Sequence, residues 1–147
     1  MRYFRLLAIL AALSSAPALG EESDEVTPDT SSASYEAAET AILGGDFAAA
    51  LPILTALTRD EPRNADAWNL LGFAARKTGQ MKLAARAYAR ALAINPDHLG
   101  ALEYQGELFL ELQKPDQAKA NLARLRSLCG TCEEAEDLAQ ALADAGA

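Results

Sequence analysis

Apolar residues recur every three to four positions through most of the chain after residue 34, the spacing of a helix with one buried face. No long alternation with a period of two appears, so no strand-rich architecture is expected. Breaks recur at even intervals: Gly44-Gly45-Asp46, Glu61-Pro62, Thr78-Gly79-Gln80, Asn95-Pro96, Gln113-Lys114-Pro115 and Cys129-Gly130. Between them lie segments the length of ordinary helices, rich in Ala, Leu, Lys, Arg and Gln. The segment 68–96, WNLLGFAARKTGQMKLAARAYARALAINP, holds two of them. The last segment, CEEAEDLAQALADAGA, places Ala135, Leu138, Ala139 and Leu142 on one stripe with acids opposite. Seven helices are expected, as three pairs and a closing helix.

The breaks repeat with a fixed period. Pro62 and Pro96 stand 34 residues apart in similar settings, LTRDEP and LAINP. The same shift lays Ala50 on Ala84 and Ala118, Gly72 on Gly106, and Leu54 on Tyr88 and Leu122. It also lays Leu57 on Ala91 and Leu125, and Gly45 on Gly79 with Gln113 in the third copy. Helix–turn–helix punctuation at such a period indicates an α-solenoid, in which one hairpin cannot bury its apolar face and copies must stack. Gly72, Ala84 and Ala91 then allow close approach between helices, while Trp68, Leu71, Leu83, Tyr88 and Ile94 fill the larger gaps. The expected fold class is therefore all-α.

Trp68, Leu71-Gly72, Ala84, Tyr88, Ala91 and Pro96 together resemble the signature of the tetratricopeptide repeat (TPR) family. Ala75 departs from it, standing where that family usually has an aromatic. The middle copy, about 65–98, is close to consensus. The third, about 99–130, keeps Gly106, Phe109, Ala118 and Leu122 but lacks the Trp and the closing Pro. The first, about 31–64, keeps Ala50 and Pro62. The resemblance implies three repeats and a C-terminal capping helix. It also implies a concave groove, lined by the first helix of each pair, that binds a partner protein or peptide. Carried across, the groove residues would be Tyr35, Glu39, Asn69, Phe73, Arg76, Glu103 and Glu107. The Lys- and Arg-rich clamp that some members use for C-terminal carboxylates is not matched, since Glu103 and Glu107 occupy the next copy. A groove so composed, acidic and partly aromatic, suits an extended segment bearing Lys or Arg, or a backbone presenting N–H groups. The alternative is that Glu103, Glu107 and Glu111 form a solvated helix face, with repulsion offset by Arg76 or Lys77.

The N-terminus changes the expected setting. Arg2 and Arg5 flank the apolar run Leu6–Leu13, followed by SSAPALG and then Glu21-Glu22, the parts of a secretory signal peptide. The run is short of the roughly 20 residues a membrane span needs. The expected organisation is a signal peptide over 1–20, an acidic disordered leader over 21–33 and a TPR domain over 34–147. No membrane insertion is expected after cleavage, and the destination would be the periplasm in a Gram-negative bacterium. Cleavage takes two of the 13 basic residues and none of the 21 acidic ones, leaving a formal charge of −10. Such a charge disfavours nucleic acid as a partner.

Candidate chemistry is sparse. Cys129-Gly-Thr-Cys132 lies between the third repeat and the closing helix. In an oxidising compartment a structural disulfide is expected, pinning that helix where the usual Pro is missing. Thiol exchange and metal binding are the alternatives, and a self-associating structural element is a further one. Against exchange stand Glu133 and Glu134, which oppose a lowered thiol pKa, and the lack of a βαβ pattern. Against metal stands the supply of only two ligands. His98, the only histidine, reads as an exposed loop residue at a helix start. The ladder Lys82, Arg86 and Arg90 reads as an outward, solubilising face. No carboxylate stands in an evidently apolar setting that would raise its pKa. No catalytic triad or phosphate-cradling loop is present, so neither an enzyme nor a cofactor is expected.

Overall fold

The computed structural model describes residues 30–147, so the expected signal peptide and most of the leader lie outside the described residues. Seven helices follow in chain order: α1 (Thr30–Leu43), α2 (Phe47–Asp60), α3 (Ala65–Lys77), α4 (Met81–Ile94), α5 (Leu99–Glu111), α6 (Pro115–Cys129) and α7 (Glu133–Asp144). No strand occurs among the described residues. The all-α solenoid of three helix pairs and a closing helix is thus as expected. One boundary differs: α1 begins at Thr30, so residues 30–33 extend the first helix rather than ending the leader.

The turns inside the pairs are built alike. After α1, α3 and α5, paired backbone bonds close a left-handed C-cap: Gly45 N–H to Ile42 O with Asp46 N–H to Ala41 O, then Gly79 to Arg76 with Gln80 to Ala75, then Gln113 to Leu110 with Lys114 to Phe109. The third residue of this series is the exception in chemistry, because Gln113 holds φ at 58° where Gly45 and Gly79 stand in the others.

Between pairs, residues before proline leave the helical region. Asn95 is extended at φ −126°, ψ 94° ahead of Pro96. The third copy lacks that proline, and Gly130, at φ 70°, stops α6 instead. Side-chain caps open the following helices: Asp46 accepts from the Ala49 N–H, Asn64 from Ala67 and His98 Nδ1 from Ala101.

Packing makes two layers. α1, α3, α5 and α7 contact one another in succession, while α2, α4 and α6 each pack against the first helices on either side. The core is Ala- and Leu-rich: Ala50, Leu54, Ala74, Ala84, Tyr88, Ala91, Leu102, Leu108, Ala118, Leu125 and Leu138 are buried. The small residues have a definite use. A Cβ on Gly72 would stand 2.6 Å from the Tyr88 ring, and one on Gly106 would stand 2.6 Å from Leu138. These two glycines therefore seat large side chains from neighbouring helices rather than bringing backbones together. α7 packs on both α5 and α6, with Leu138 and Leu142 in the C-terminal core.

The repeat also fixes two arginines. Arg90 donates to the carbonyl of Pro62 at 3.4 Å, and Arg124, 34 residues on, donates to the carbonyl of Pro96. Arg90 thus ties a helix to the preceding loop, which corrects the expectation of a purely solubilising ladder; Lys82 and Arg86 are exposed. His98 is corrected likewise. Its side chain is only 12% exposed and bridges α5 to Asp66 of α3 at 2.9 Å. Since Nδ1 accepts from a backbone N–H, Nε2 carries the proton donated to Asp66.

Candidate functional site

Because the first helices lie side by side, residues 34 apart come into line across them. Tyr35, Asn69, Glu103 and Asp137 form one such row, on α1, α3, α5 and α7. Glu39, Phe73, Glu107 and Ala141 form the row one turn along. The seven expected groove residues all stand in or beside these rows, but the structure divides them into distinct environments.

Tyr35 borders a shallow depression with Ser31, Ser32, Asn64 and Asp66. Burial, followed by Glu39 and Asp66, pushes its hydroxyl up to about 12. Glu39 is exposed.

Phe73 forms the aromatic middle. Its ring meets Phe47 at 5.7 Å and Tyr104 at 4.8 Å, with the Lys77 ammonium 5.4 Å from its centroid.

Arg76 is 8% exposed and already engaged. It donates to Glu111 at 2.7 Å and to Glu107, with its guanidinium 6.0 Å from the Tyr104 ring centroid. Burial pulls its pKa down, but the Glu111 bond, Tyr88 and Glu107 leave it raised. Arg76 therefore offsets the repulsion between Glu107 and Glu111, as the solvated-face alternative expects of it, and one guanidinium between two carboxylates leaves the trio one negative charge in excess.

Glu103 differs from its neighbours. It is 7% exposed and makes no hydrogen bond or ion pair among the described residues. Burial, then Glu107, Asp137 and Glu134, push its carboxyl up to about 8 against the opposing pull of Arg76. This overturns the expectation that no carboxylate has a raised pKa.

Beside it, Asn69 is 7% exposed and its Oδ1 has no hydrogen-bond partner among the described residues. Both line a cavity of about 260 Å³ completed by Leu70, Gly100, Tyr104, Glu133, Glu134 and Asp137. Gly100 leaves room for the Asn69 amide, since a Cβ there would lie 3.3 Å from its nitrogen.

Tyr104, Glu134 and Asp137 were missed by sequence reasoning, although extending the 34-residue register from Glu103 leads directly to Asp137. Reading α7 only as a polar-backed end hid its second role as the wall after α5.

The Sγ atoms of Cys129 and Cys132 lie at disulfide distance, joining the last residue of α6 to the residue that opens α7. Among the described residues no group of three or more His, Cys, Asp and Glu side chains is placed to hold a metal ion. No described helix is long and apolar enough to cross a membrane.

Comparison with known proteins agrees with this architecture. Two family models, both described as tetratricopeptide repeat, match residues 35–98 and 101–129. No curated protein matches the sequence. Among solved structures, the chain is similar to MamA from Desulfovibrio magneticus RS-1 at 22% identity and TM-score 0.65. That match covers 69% of this chain and 58% of the MamA chain, so the protein spans less than two thirds of it. It is similar to the Yersinia enterocolitica type III secretion chaperone SycD in complex with a peptide of the translocator YopD: 19% identity, TM-score 0.70, 83% and 93% covered. It is also similar to the first TPR of Spaghetti (RPAP3) bound to the HSP90 peptide SRMEEVD: 21% identity, TM-score 0.68, 77% and 93% covered. At these identities the likeness is one of fold. With the two family models together matching more than half of the chain, it belongs to the tetratricopeptide repeat family.

Proposed function

We propose that the protein is an exported adaptor or scaffold that binds an extended segment of a partner protein along the face formed by α1, α3, α5 and α7. The observation that carries this reading is the unpaired Asn69 Oδ1 beside the equally buried Glu103. Buried polar groups are normally hydrogen-bonded, so an unpartnered amide oxygen beside a carboxyl that makes no ion pair, both on residues lining one open cavity, favours a ligand there. The peptide complexes of SycD and RPAP3 support the same reading by analogy of fold. Export rests on the N-terminal sequence pattern, and the periplasm is the destination if the source is a Gram-negative bacterium. Binding rather than catalysis is the mode of action, and the cysteine pair secures α7 as a wall of the face.

Capture from a periplasmic extract tests the reading, with wild type compared against Glu134→Lys/Asp137→Lys and against Lys82→Glu/Arg86→Glu on the opposite layer. Glu107 is left intact, because reversing it would break the Arg76 network. The expected result is a partner lost with the α7 reversal and kept with the opposite-face reversal. A partner kept by the first and lost by the second would overturn it.

A further inference from the structure

The cavity between α3, α5 and α7 has a chemistry more definite than a general binding face. Its polar groups converge from three helices. Asn69, whose Oδ1 is buried and unpartnered, lines it from α3, Glu103 from α5, and α7 adds Glu133, Glu134 and Asp137. All these oxygens can accept hydrogen bonds, and no cation borders the cavity, since Arg76 is committed to Glu107 and Glu111. Leu70 and the Tyr104 ring supply an apolar wall. The two deepest polar groups, Asn69 and Glu103, are more than nine-tenths buried and have no protein partner among the described residues.

Resting on the reading of this face as a binding groove, we infer that the cavity is a receptor for the side-chain ammonium of a lysine carried by the partner segment, with Asn69 Oδ1, Glu103 and Asp137 as its acceptors. An ammonium carries three donors on a compact head, which suits acceptors arriving from three directions. A guanidinium presents a planar fork better matched to one carboxylate in bidentate contact. The aliphatic stem lies along Leu70 and Tyr104, whose ring face also favours a cation.

Docking is coupled to a proton. The groups facing Glu103 are Arg76 on α3, Glu107 and Tyr104 on α5, and Glu133, Glu134 and Asp137 on α7. The other helices against α5 add the Tyr88 ring of α4 and the Asn121 amide of α6. With acids predominating, the free carboxyl is mostly protonated at pH 7. An arriving ammonium stabilises the carboxylate, and Glu103 releases its proton to solvent as the ion pair forms.

The test uses Nα-acetyl-lysine amide as the probe, titrated into the protein at pH 7 and followed by NMR and by calorimetry in buffers of different ionisation enthalpy. Expected are shifts at the Asn69 side-chain amide and the Gly100 amide, with release of about one proton per ligand. Affinity should fall at least tenfold for the Nε-acetylated probe, and at least tenfold for Glu103→Gln and Asp137→Asn. Proton release should vanish in Glu103→Gln. Absence of shifts at those two sites, or unchanged affinity in both variants, would overturn the inference. So would tighter binding of Nα-acetyl-arginine amide, or of glycinamide, whose ammonium is an α-amine.

This experiment is separable from partner capture. No ammonium binding, with capture still sensitive to the α7 reversal, overturns the lysine pocket and leaves the groove. Ammonium binding with the partner indifferent to that reversal overturns the groove, and with it the assignment of the bound ammonium to the partner's lysine.

Discussion

Single residues show where the repeat is filled by the expected type and where it is not. Gly45 and Gly79 take the left-handed conformation without cost, but Gln113 adopts it at φ 58° with a side chain. That conformation costs an L-residue roughly 1–2 kcal/mol, partly offset by the backbone entropy glycine would lose. Gln113→Gly should therefore stabilise the protein by about 0.5–1 kcal/mol, read as a rise of a few degrees in melting temperature.

Glu103 gives a sharper prediction, because its folded pKa of about 8 lies far above the ordinary carboxylate value. Between those two values the folded state holds a proton that the unfolded state has lost, so stability falls as pH rises through this window. Glu103→Gln removes that dependence. It should melt at the wild-type temperature near pH 4.5 and well above it at pH 8.5. Equal melting temperatures at pH 8.5 would show that the carboxyl pays no burial penalty.

At the scale of the helices, the closing helix is the element whose role changes most. Sequence reasoning identified α7 from its apolar stripe and made it a lid on the last repeat. It also stands where the first helix of another pair would stand, and it walls the cavity around Glu103. The Cys129–Cys132 pair holds its first turn against the end of α6. Closing so small a loop contributes about 2 kcal/mol in the chain-entropy model. Reduction, or Cys129→Ser/Cys132→Ser, should lower the melting temperature by about 5–10 °C. Hydrogen exchange should speed up first in α7 while α3 and α4 stay protected. A uniform loss of protection in all seven helices would contradict a local clamp.

Across the whole molecule, the architecture was legible because one 34-residue period set turns, small residues and apolar faces together. Pro62 and Pro96, Gly45 and Gly79, and Ala50, Ala84 and Ala118 all point to the same stack. The candidate site was only half legible. The row Tyr35, Asn69 and Glu103 could be drawn from that period and the family resemblance, but side-chain commitments could not. Arg76 read both as a groove residue and as a base offsetting the glutamates, and only the structure shows it held by Glu107 and Glu111. Glu103 looked like one of three similar acids, yet burial separates it from the other two. His98 looked like an exposed residue at a helix start, and it does open that helix, but its side chain is largely buried and tied to Asp66. Each of these depends on which neighbouring helix lies within a few ångströms, and a single sequence carries that only through its repeat register.

The central claim is that recognition occurs on the face of α1, α3, α5 and α7. The most direct measurement is backbone and side-chain amide shift mapping of the protein titrated with the captured partner segment. Largest shifts at Asn69, Gly100, Tyr104 and Asp137 are the expected result. Largest shifts at Lys82, Arg86 and Arg90, with those four unmoved, would place recognition on the opposite layer and contradict it.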